Sequence, residues 1–256
     1  MSQRLPTRLT AAAMLASTLA LAACSWGYKP PAPTPLQANP AEGSAQIAWR
    51  GSIGAGATLP MQMAVQADQV VFATVRGQVE ALSASNGARA WSVNVGQPLS
   101  AGVGCDGTTA AVITAKTALR AIRDGNVLWS VTRQHQSSTQ TLVAGGRVFV
   151  VGSDHTVSAY DGNNGFLLWN QKSNLPSGRL ALSQPSLLMP AYGALFVGVA
   201  GNVVGFNPDT GEALGDIPLA SPRGVTDLSQ VVDVLMPASR VGNSLCARAY
   251  QATVGC

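Results

Sequence analysis

Gln69-Val70-Val71-Phe72-Ala73-Thr74-Val75-Arg76-Gly77-Gln78-Val79-Glu80-Ala81-Leu82, then Asn86-Gly87 and Ala90-Trp91-Ser92-Val93, is the stretch that decides the fold. It reads as two alternating strands joined by a tight turn, a second turn at an Asn-Gly pair, and an outer strand marked by tryptophan. The same sentence returns as Arg147-Val148-Phe149-Val150-Val151 through Thr156-Val157-Ser158-Ala159-Tyr160-Asp161, with Asn164-Gly165 and Leu168-Trp169. Between them lies a weaker copy, Ala110-Ala111-Val112-Ile113 through Leu119-Arg120-Ala121-Ile122, with Asp124-Gly125 and Leu128-Trp129. A fourth copy runs from Ala194-Leu195-Phe196-Val197 to Phe206-Asn207 and has Thr210-Gly211, but Gly215 stands where tryptophan is expected. A fifth opens at Ser244-Leu245-Cys246 and reaches Cys256.

Each unit leaves room for one more strand upstream, and four short antiparallel strands in roughly 40 residues describe a propeller blade. The expected fold class is therefore all-β, a β-propeller of four-stranded antiparallel blades over residues 44–256. Trp91, Trp129 and Trp169 are expected to fill the gaps between neighbouring blades, because a large flat side chain at a repeated position is a packing element. Ala45-Gln46-Ile47-Ala48-Trp49-Arg50 has the phase of the tryptophan strand alone, so it is read as an outer strand donated to a blade. With that strand, four full units and half of a fifth, the sequence reads as the first part of a larger ring, and a truncated chain is the expectation.

The N-terminus says where the protein works. Met1–Arg8 carry Arg4 and Arg8 and no acid, and Leu9–Ala23 are apolar or small, the layout of a secretory signal peptide. The apolar run is shorter than the about 20 residues that a spanning helix needs. It ends in Leu21-Ala22-Ala23-Cys24, small residues before a cysteine, which suit a lipoprotein signal peptidase and leave Cys24 to carry the lipid. The alternative is an ordinary exported protein cut near Ala23. Ser25 after the cysteine, rather than Asp, resembles the pattern of bacterial lipoproteins released to the outer membrane. Five prolines between Lys29 and Pro40 make a stiff tether. At about 3.1 Å per residue it reaches on the order of 35 Å. The domain plan is a signal peptide over 1–23, the lipidated cysteine and tether over 24–43, and the propeller from 44 onward.

Composition excludes several classes. Charged residues are 11 % of the chain and the formal charge is +4, or +2 once Arg4 and Arg8 are removed. The remaining basic residues form no cluster, so nucleic acid is excluded as a partner. The cysteine spacings are not those of a metal site and both histidines, His135 and His155, are far from them in sequence, so no metal is expected. Ser153-Asp154-His155 occupies the strand turn equivalent to Val75-Arg76-Gly77 and is read as a turn, not as part of a catalytic triad. Asp124, Asp161 and Asp209 fall at turn positions where Asp caps its own backbone. No catalytic set and no cofactor is expected. Export permits disulfides. A turn centred on Gln251 puts Cys246 and Cys256 opposite each other, where a bridge and two free thiols are equal alternatives, and Cys105 is left over.

Spacing singles out two places. From the tryptophan position to the next unit's alanine position the interval is 30 residues for Trp91 to Ala121 and for Trp129 to Ala159, then 36 for Trp169 to Gly205 and 41 for Gly215 to Cys256. The extra residues fall in 172–185 and 220–233, successive connections from an outer strand to the next inner strand. Equivalent connections share one rim of a propeller, and enlarged loops on a rigid scaffold suit partner contact; plain tolerance of insertions is the alternative.

The lipidated cysteine, proline tether and V-x-A-x-D/N…G…W units together resemble the BamB family, lipoprotein subunits of the outer-membrane β-barrel assembly machinery built of PQQ-like repeats. Ser100-Ala101-Gly102-Val103-Gly104, Ser221-Pro222-Arg223-Gly224 and Cys246-Ala247-Arg248-Ala249-Tyr250-Gln251 look like family phrases. The resemblance implies an eight-bladed ring, of which about four and a half blades are present. It also implies a non-enzymatic scaffold on the periplasmic face of the outer membrane that docks on the POTRA domains of BamA, works beside other subunits of the machinery, and assists nascent outer-membrane proteins. In the family, docking uses a Leu-x-Leu-Arg phrase in one inter-blade loop and acidic residues in the next. Leu180-Ala181-Leu182 matches the leucines with Ser183 in the arginine's place, and Asp233 matches one acid with Leu235 where some members carry another. Leu180 and Leu182 read equally well as the start of a buried inner strand. Charge reversal at Asp233, or Leu182→Asp, is expected to weaken BamA capture without loss of fold. The competing classes are a quinone-cofactor dehydrogenase of the same repeats, which needs a calcium-holding set and commonly adjacent cysteines, and a periplasmic binding propeller unrelated to barrel assembly.

Overall fold

The computed structural model describes residues 46–51, 63–66, 68–172, 183–221, 231–250 and 252–256. Leu180, Leu182, Cys24 and the whole of 1–45, with the expected signal peptide and tether, lie outside the described residues.

Alternating Val, Ala and Phe build five successive antiparallel sheets. Blade 1 holds β1 (Ala64–Val65), β2 (Gln69–Ala73), β3 (Gln78–Ser83) and β4 (Arg89–Asn94). Blade 2 holds β5 (Gly104–Cys105), β6 (Ala110–Ile113), β7 (Ala118–Arg123) and β8 (Asn126–Thr132). Blade 3 holds β9 (Leu142–Ala144), β10 (Arg147–Val151), β11 (Thr156–Asp161) and β12 (Leu167–Lys172). Blade 4 holds β13 (Leu188–Ala191), β14 (Ala194–Val199), β15 (Asn202–Phe206) and β16 (Ala213–Pro218). Blade 5 is three-stranded, with β17 (Val234–Val241), β18 (Ser244–Ala249) and β19 (Val254–Gly255). Within each sheet the strands run in chain order, and the first strands adjoin from blade to blade, β1 beside β5, β5 beside β9, β9 beside β13. The described residues contain strands and turns and no helix.

The third and fourth strands of blades 1 to 4 share one irregularity, a register shift just after the residue that faces the tryptophan position. Ala81 pairs with Trp91, Ala121 with Trp129 and Ala159 with Trp169. These three alanines are fully buried, since only a small side chain leaves room for an indole on the same face. A bulge bends its strand and re-aims the side chains beside it. It also turns the residue just before the tryptophan outward, which explains why Leu128 and Leu168 are exposed.

The aimed indole crosses to the next blade. A Cβ built on Gly165 would lie 2.7 Å from the Trp129 ring, and one on Gly211 would lie 2.6 Å from the Trp169 ring. Both glycines have left-handed backbones, φ +77° and +74°, so conformation and space alike require glycine. Trp129 Nε1 donates to the carbonyl of Gly162 at 2.9 Å, and Trp169 Nε1 to that of Pro208 at 3.0 Å. Trp49 takes the same pose on blade 1: its ring covers Gly87 and its Nε1 donates to Ala84 O at 2.8 Å, although its own segment pairs with no strand among the described residues. Trp91 meets Gly125 through its Cβ and not its ring, at an Arg123–Asn126 hairpin two residues shorter than the turns of the other units. The tryptophans are thus clamps between blades, as their spacing indicates.

Between the blades lie apolar layers. Val71, Val79, Ala81, Val103, Val112 and Ile122 close blade 1 on blade 2. Ile113, Leu119, Val148, Val150 and Tyr160 close blade 2 on blade 3. Phe149, Val157, Trp169, Leu195, Val197 and Phe206 close blade 3 on blade 4, with Phe149 and Trp169 rings 5.9 Å apart. Cys105 is a free, buried thiol in the first of these layers. Burial pushes it up from the ordinary thiol range, partly offset by the Gly107 N–H that donates to its sulfur. Cys246 and Cys256 are joined by a disulfide, S–S 2.13 Å.

The turn aspartates divide. Asp161 Oδ1 accepts from the N–H groups of Asn163 and Asn164, as a capping Asp does. Asp124, at φ +51°, and Gly125 make a two-residue hairpin turn. Asp209 departs from the expectation: Asn207 caps that turn, which frees Asp209 to pair with Arg147 of blade 3 at 2.7 Å.

Candidate functional site: the rim of the long connections

Blades 1, 2 and 4 send the outer strand back past the tip of their own second hairpin. The tip residues of blades 1 to 4 are Gly77, Thr117, His155 and Gly201, all with left-handed backbones. Gly77 O accepts from Val95 N at 2.8 Å, Thr117 O from Arg133 N at 3.0 Å, and Gly201 O from Leu219 N and Ala220 N at 2.9 Å. In these three blades the outgoing connection is therefore strapped to the tip of that hairpin. The two lengthened ones leave from Lys172 and Pro218, the last residues of β12 and β16.

Their incoming ends meet. Leu187 N donates to Val234 O at 3.0 Å and Met236 N donates to Pro185 O at 2.9 Å, and Ser186 forms a bridge with Leu235. On its other side the first connection is tied to blade 3, with Ser186 N donating to Thr139 Oγ1 at 3.0 Å and Ser138 Oγ donating to Gln184 O at 3.2 Å. Backbone pairing of Pro185–Leu187 with Val234–Met236 makes the ends of the two connections neighbours.

Asp233 sits at this junction but does not face solvent. It is 7 % exposed, and its Oδ1 lies 3.6 Å from His155 Nε2, itself 6 % exposed. Its carbonyl accepts from Tyr250 N at 2.9 Å. This differs from the sequence expectation of an acid displayed for a partner. The physical reason is that the backbone bonds of Val234 and Met236 pull residues 231–236 inward, so that a carboxylate there must find an internal partner. Charge reversal at Asp233 would bury a cation beside His155, and fold retention is no longer the expectation for that variant. Leu235 is buried as well, in β17.

The neighbourhood of His155 is polar. Arg133 is 8 % exposed and its Nη1 donates to His135 O at 3.3 Å. His135 Nε2 stands 3.5 Å from Asp154 Oδ2. Burial alone would raise the Asp154 carboxyl, but hydrogen bonds from Thr156 Oγ1 and Thr156 N, with the adjacent His135 ring, outweigh it and hold Asp154 below the ordinary range. Ser153-Asp154-His155 is the turn that the sequence indicates, closed by Gly152 N to Thr156 O at 2.8 Å, and the imidazole faces Asp233. Among the described residues no three His, Cys, Asp or Glu side chains stand close enough to hold a metal ion. Sequence reasoning placed His155 in its turn but missed its carboxylate partner. The available signal was a bulky residue at a position that glycine holds in the first and fourth units.

A family model described as outer membrane protein assembly factor BamB matches residues 75–256. The chain belongs to the BamB family. It is 31 % identical over 247 residues to the outer membrane protein assembly factor BamB of Burkholderia pseudomallei, covering 95 % of this chain and 65 % of that protein. To the Bordetella pertussis BamB it is 30 % identical over 253 residues, covering 96 % and 64 %. The chain thus spans slightly less than two thirds of the length of these curated BamB relatives. Its fold is similar to the crystal structure of BamB from Moraxella catarrhalis, with a TM-score of 0.60 and 22 % identity over 76 % of this chain and 56 % of that one.

Proposed function

We propose that this chain acts as a non-enzymatic scaffold in outer-membrane protein assembly, docking through the rim of its two long connections on the periplasmic POTRA domains of BamA. In this reading Cys24 carries the lipid that moors the protein to the periplasmic face of the outer membrane, and the proline-rich tether lets the blades stand off the surface. Leu180 and Leu182 supply the apolar contact. Asp233 contributes by holding the second connection in place, and no cofactor takes part. Other subunits of the machinery and nascent outer-membrane proteins are the remaining partners.

The observation that carries this reading is the meeting of the two connections. The ends of two successive lengthened loops share backbone hydrogen bonds, and neighbouring long loops on a rigid scaffold suit a protein partner better than a small substrate. The relatives' names supply the process, outer membrane protein assembly.

The test is capture of BamA from detergent-solubilised membranes by the tagged lipoprotein. Leu182→Asp should reduce capture at least tenfold with unchanged circular dichroism, because a carboxylate in an apolar contact must be desolvated without a partner. Wild-type levels of capture by this variant would remove the docking site from the first connection, and failure of the unaltered protein to capture BamA would remove the scaffold reading.

A further inference from the structure

We propose that His155 is a latch: from a left-handed turn of blade 3 its imidazole holds Asp233, and with it the incoming end of the connection into blade 5, in a fixed position. Three observations meet on this residue.

The backbone is the first. His155 has φ +62° at a tip where blades 1 and 4 use Gly77 and Gly201. A bulky residue in that region costs conformational energy, and such outliers persist where the surroundings hold them in place. The partner is the second. Both residues are buried, and Asp233 Oδ1 stands 3.6 Å from His155 Nε2, an ion-pairing distance when the ring is protonated and a polar contact otherwise. The reach is the third. Gly77, Thr117 and Gly201 hold the connection leaving their own blade through backbone carbonyls, and Thr117 adds its Oγ1 to Arg133 O. Among the described residues, His155 is the tip whose side chain reaches residues just before β17, past the whole of blade 4.

What the latch fixes follows from the neighbouring bonds. Asp233 O accepts from Tyr250 N, Val234 O from Leu187 N, and Pro185 O from Met236 N. Anchoring Asp233 therefore also sets the end of the first connection. The latch's bearing on docking rests on the proposed function above, whereas its existence does not.

The experiment is hydrogen exchange on the full chain, comparing wild type with His155→Gly, Asp233→Asn and the double variant. His155→Gly is chosen because glycine occupies the equivalent tips and relieves the strained backbone, so the fold is kept. The latch predicts at least tenfold faster exchange at the amides of Leu187, Met236 and Tyr250 in each single variant, with Val148 and Val150 unchanged. It further predicts that the double variant exchanges no faster than the faster of the two single variants. If His155 only fills a turn, His155→Gly leaves exchange at those amides unchanged and raises the melting temperature; that result, or additive effects in the double variant, overturns the proposal. Faster exchange with undiminished BamA capture would keep the latch and remove this connection from the docking face.

Discussion

The joint between blades 3 and 4 and the joint between blades 4 and 5 are built from copies of the same repeat, and they differ at the tryptophan position. In the first, Trp169 crosses onto Gly211, donates to Pro208 O and lies beside Phe149 in a layer of buried Val, Leu and Phe. In the second, Gly215 holds the tryptophan position, pairing with Gly205, and a Cβ there would meet open space. Among the described residues, the layer at this joint has Leu187, Val203, Val234 and Ala247 buried, with Phe196, Leu219 and Met236 partly so. A cleft of about 600 Å³ opens among Phe196, Ile217, Leu219 and Leu245. Where an indole clamps, blades are fixed by apolar contact. Where it is missing, backbone bonds from Pro185 and Leu187 and the His155–Asp233 contact supply the ties, on the rim where the long connections end. The lesson is that the clamp is local: the array keeps its repeat while one joint exchanges an apolar lock for a polar one.

The largest expected effect tests the clamp directly. Trp169→Ala removes a 7 %-exposed indole and its hydrogen bond and should cost about 3–5 kcal/mol in denaturant unfolding. Phe196→Ala, at the unclamped joint, should cost about half as much because its ring is already partly in solvent. Equal losses from the two variants would break the contrast. The next effect isolates the glycines. Gly211→Ala meets both a backbone at φ +74° and the Trp169 ring 2.6 Å from the new methyl, and should destabilise by about 3 kcal/mol. Gly215→Ala meets only its backbone restriction at φ +148°, and should cost about 1–2 kcal/mol. A Gly215 variant as damaging as the Gly211 variant would mean that this joint is packed after all.

Much of this contrast was legible in the sequence. The alternation in Val70–Ala73 and Val79–Leu82, the Asn-Gly and Thr-Gly turns and the spaced tryptophans determine strands, hairpins and blade order, because all are local signals with fixed periods. Gly215 at a tryptophan position is visible in the repeat alone. The interval lengths likewise mark the two long connections. What the sequence did not disclose is where side chains end up when they are far apart in the chain. Asp233 reads as a displayed acid through the family resemblance, yet the hydrogen bonds of Val234 and Met236 turn it inward to His155. Asp209 reads as a cap, yet Asn207 two residues earlier does that work and Asp209 reaches Arg147 on the neighbouring blade. Periodicity carries backbone pairing; it carries nothing about which charged groups meet across blades.

The smallest effect separates two imidazole–carboxylate contacts that share one turn. His155–Asp233 is buried, whereas His135–Asp154 is partly exposed. Asp154 has its carboxyl held below the ordinary range by Thr156 and His135, against the opposing effect of burial. A lowered folded-state value means that the folded chain binds fewer protons than the unfolded one in that interval. The stabilisation is then present in full above the ordinary aspartate value of about 3.9 and is lost as pH falls through the lower folded-state value. Asp154→Asn should therefore be slightly less stable than wild type at pH 7, and the difference should shrink as both are titrated below pH about 4, read by thermal unfolding. Exposure keeps the effect well below that of any glycine or tryptophan variant, since solvent screens the contact. An Asp154→Asn deficit that persists unchanged at the acid end would show that the carboxylate's charge is not what holds the Gly152–Thr156 turn, and would leave the backbone bonds of that turn as its whole support.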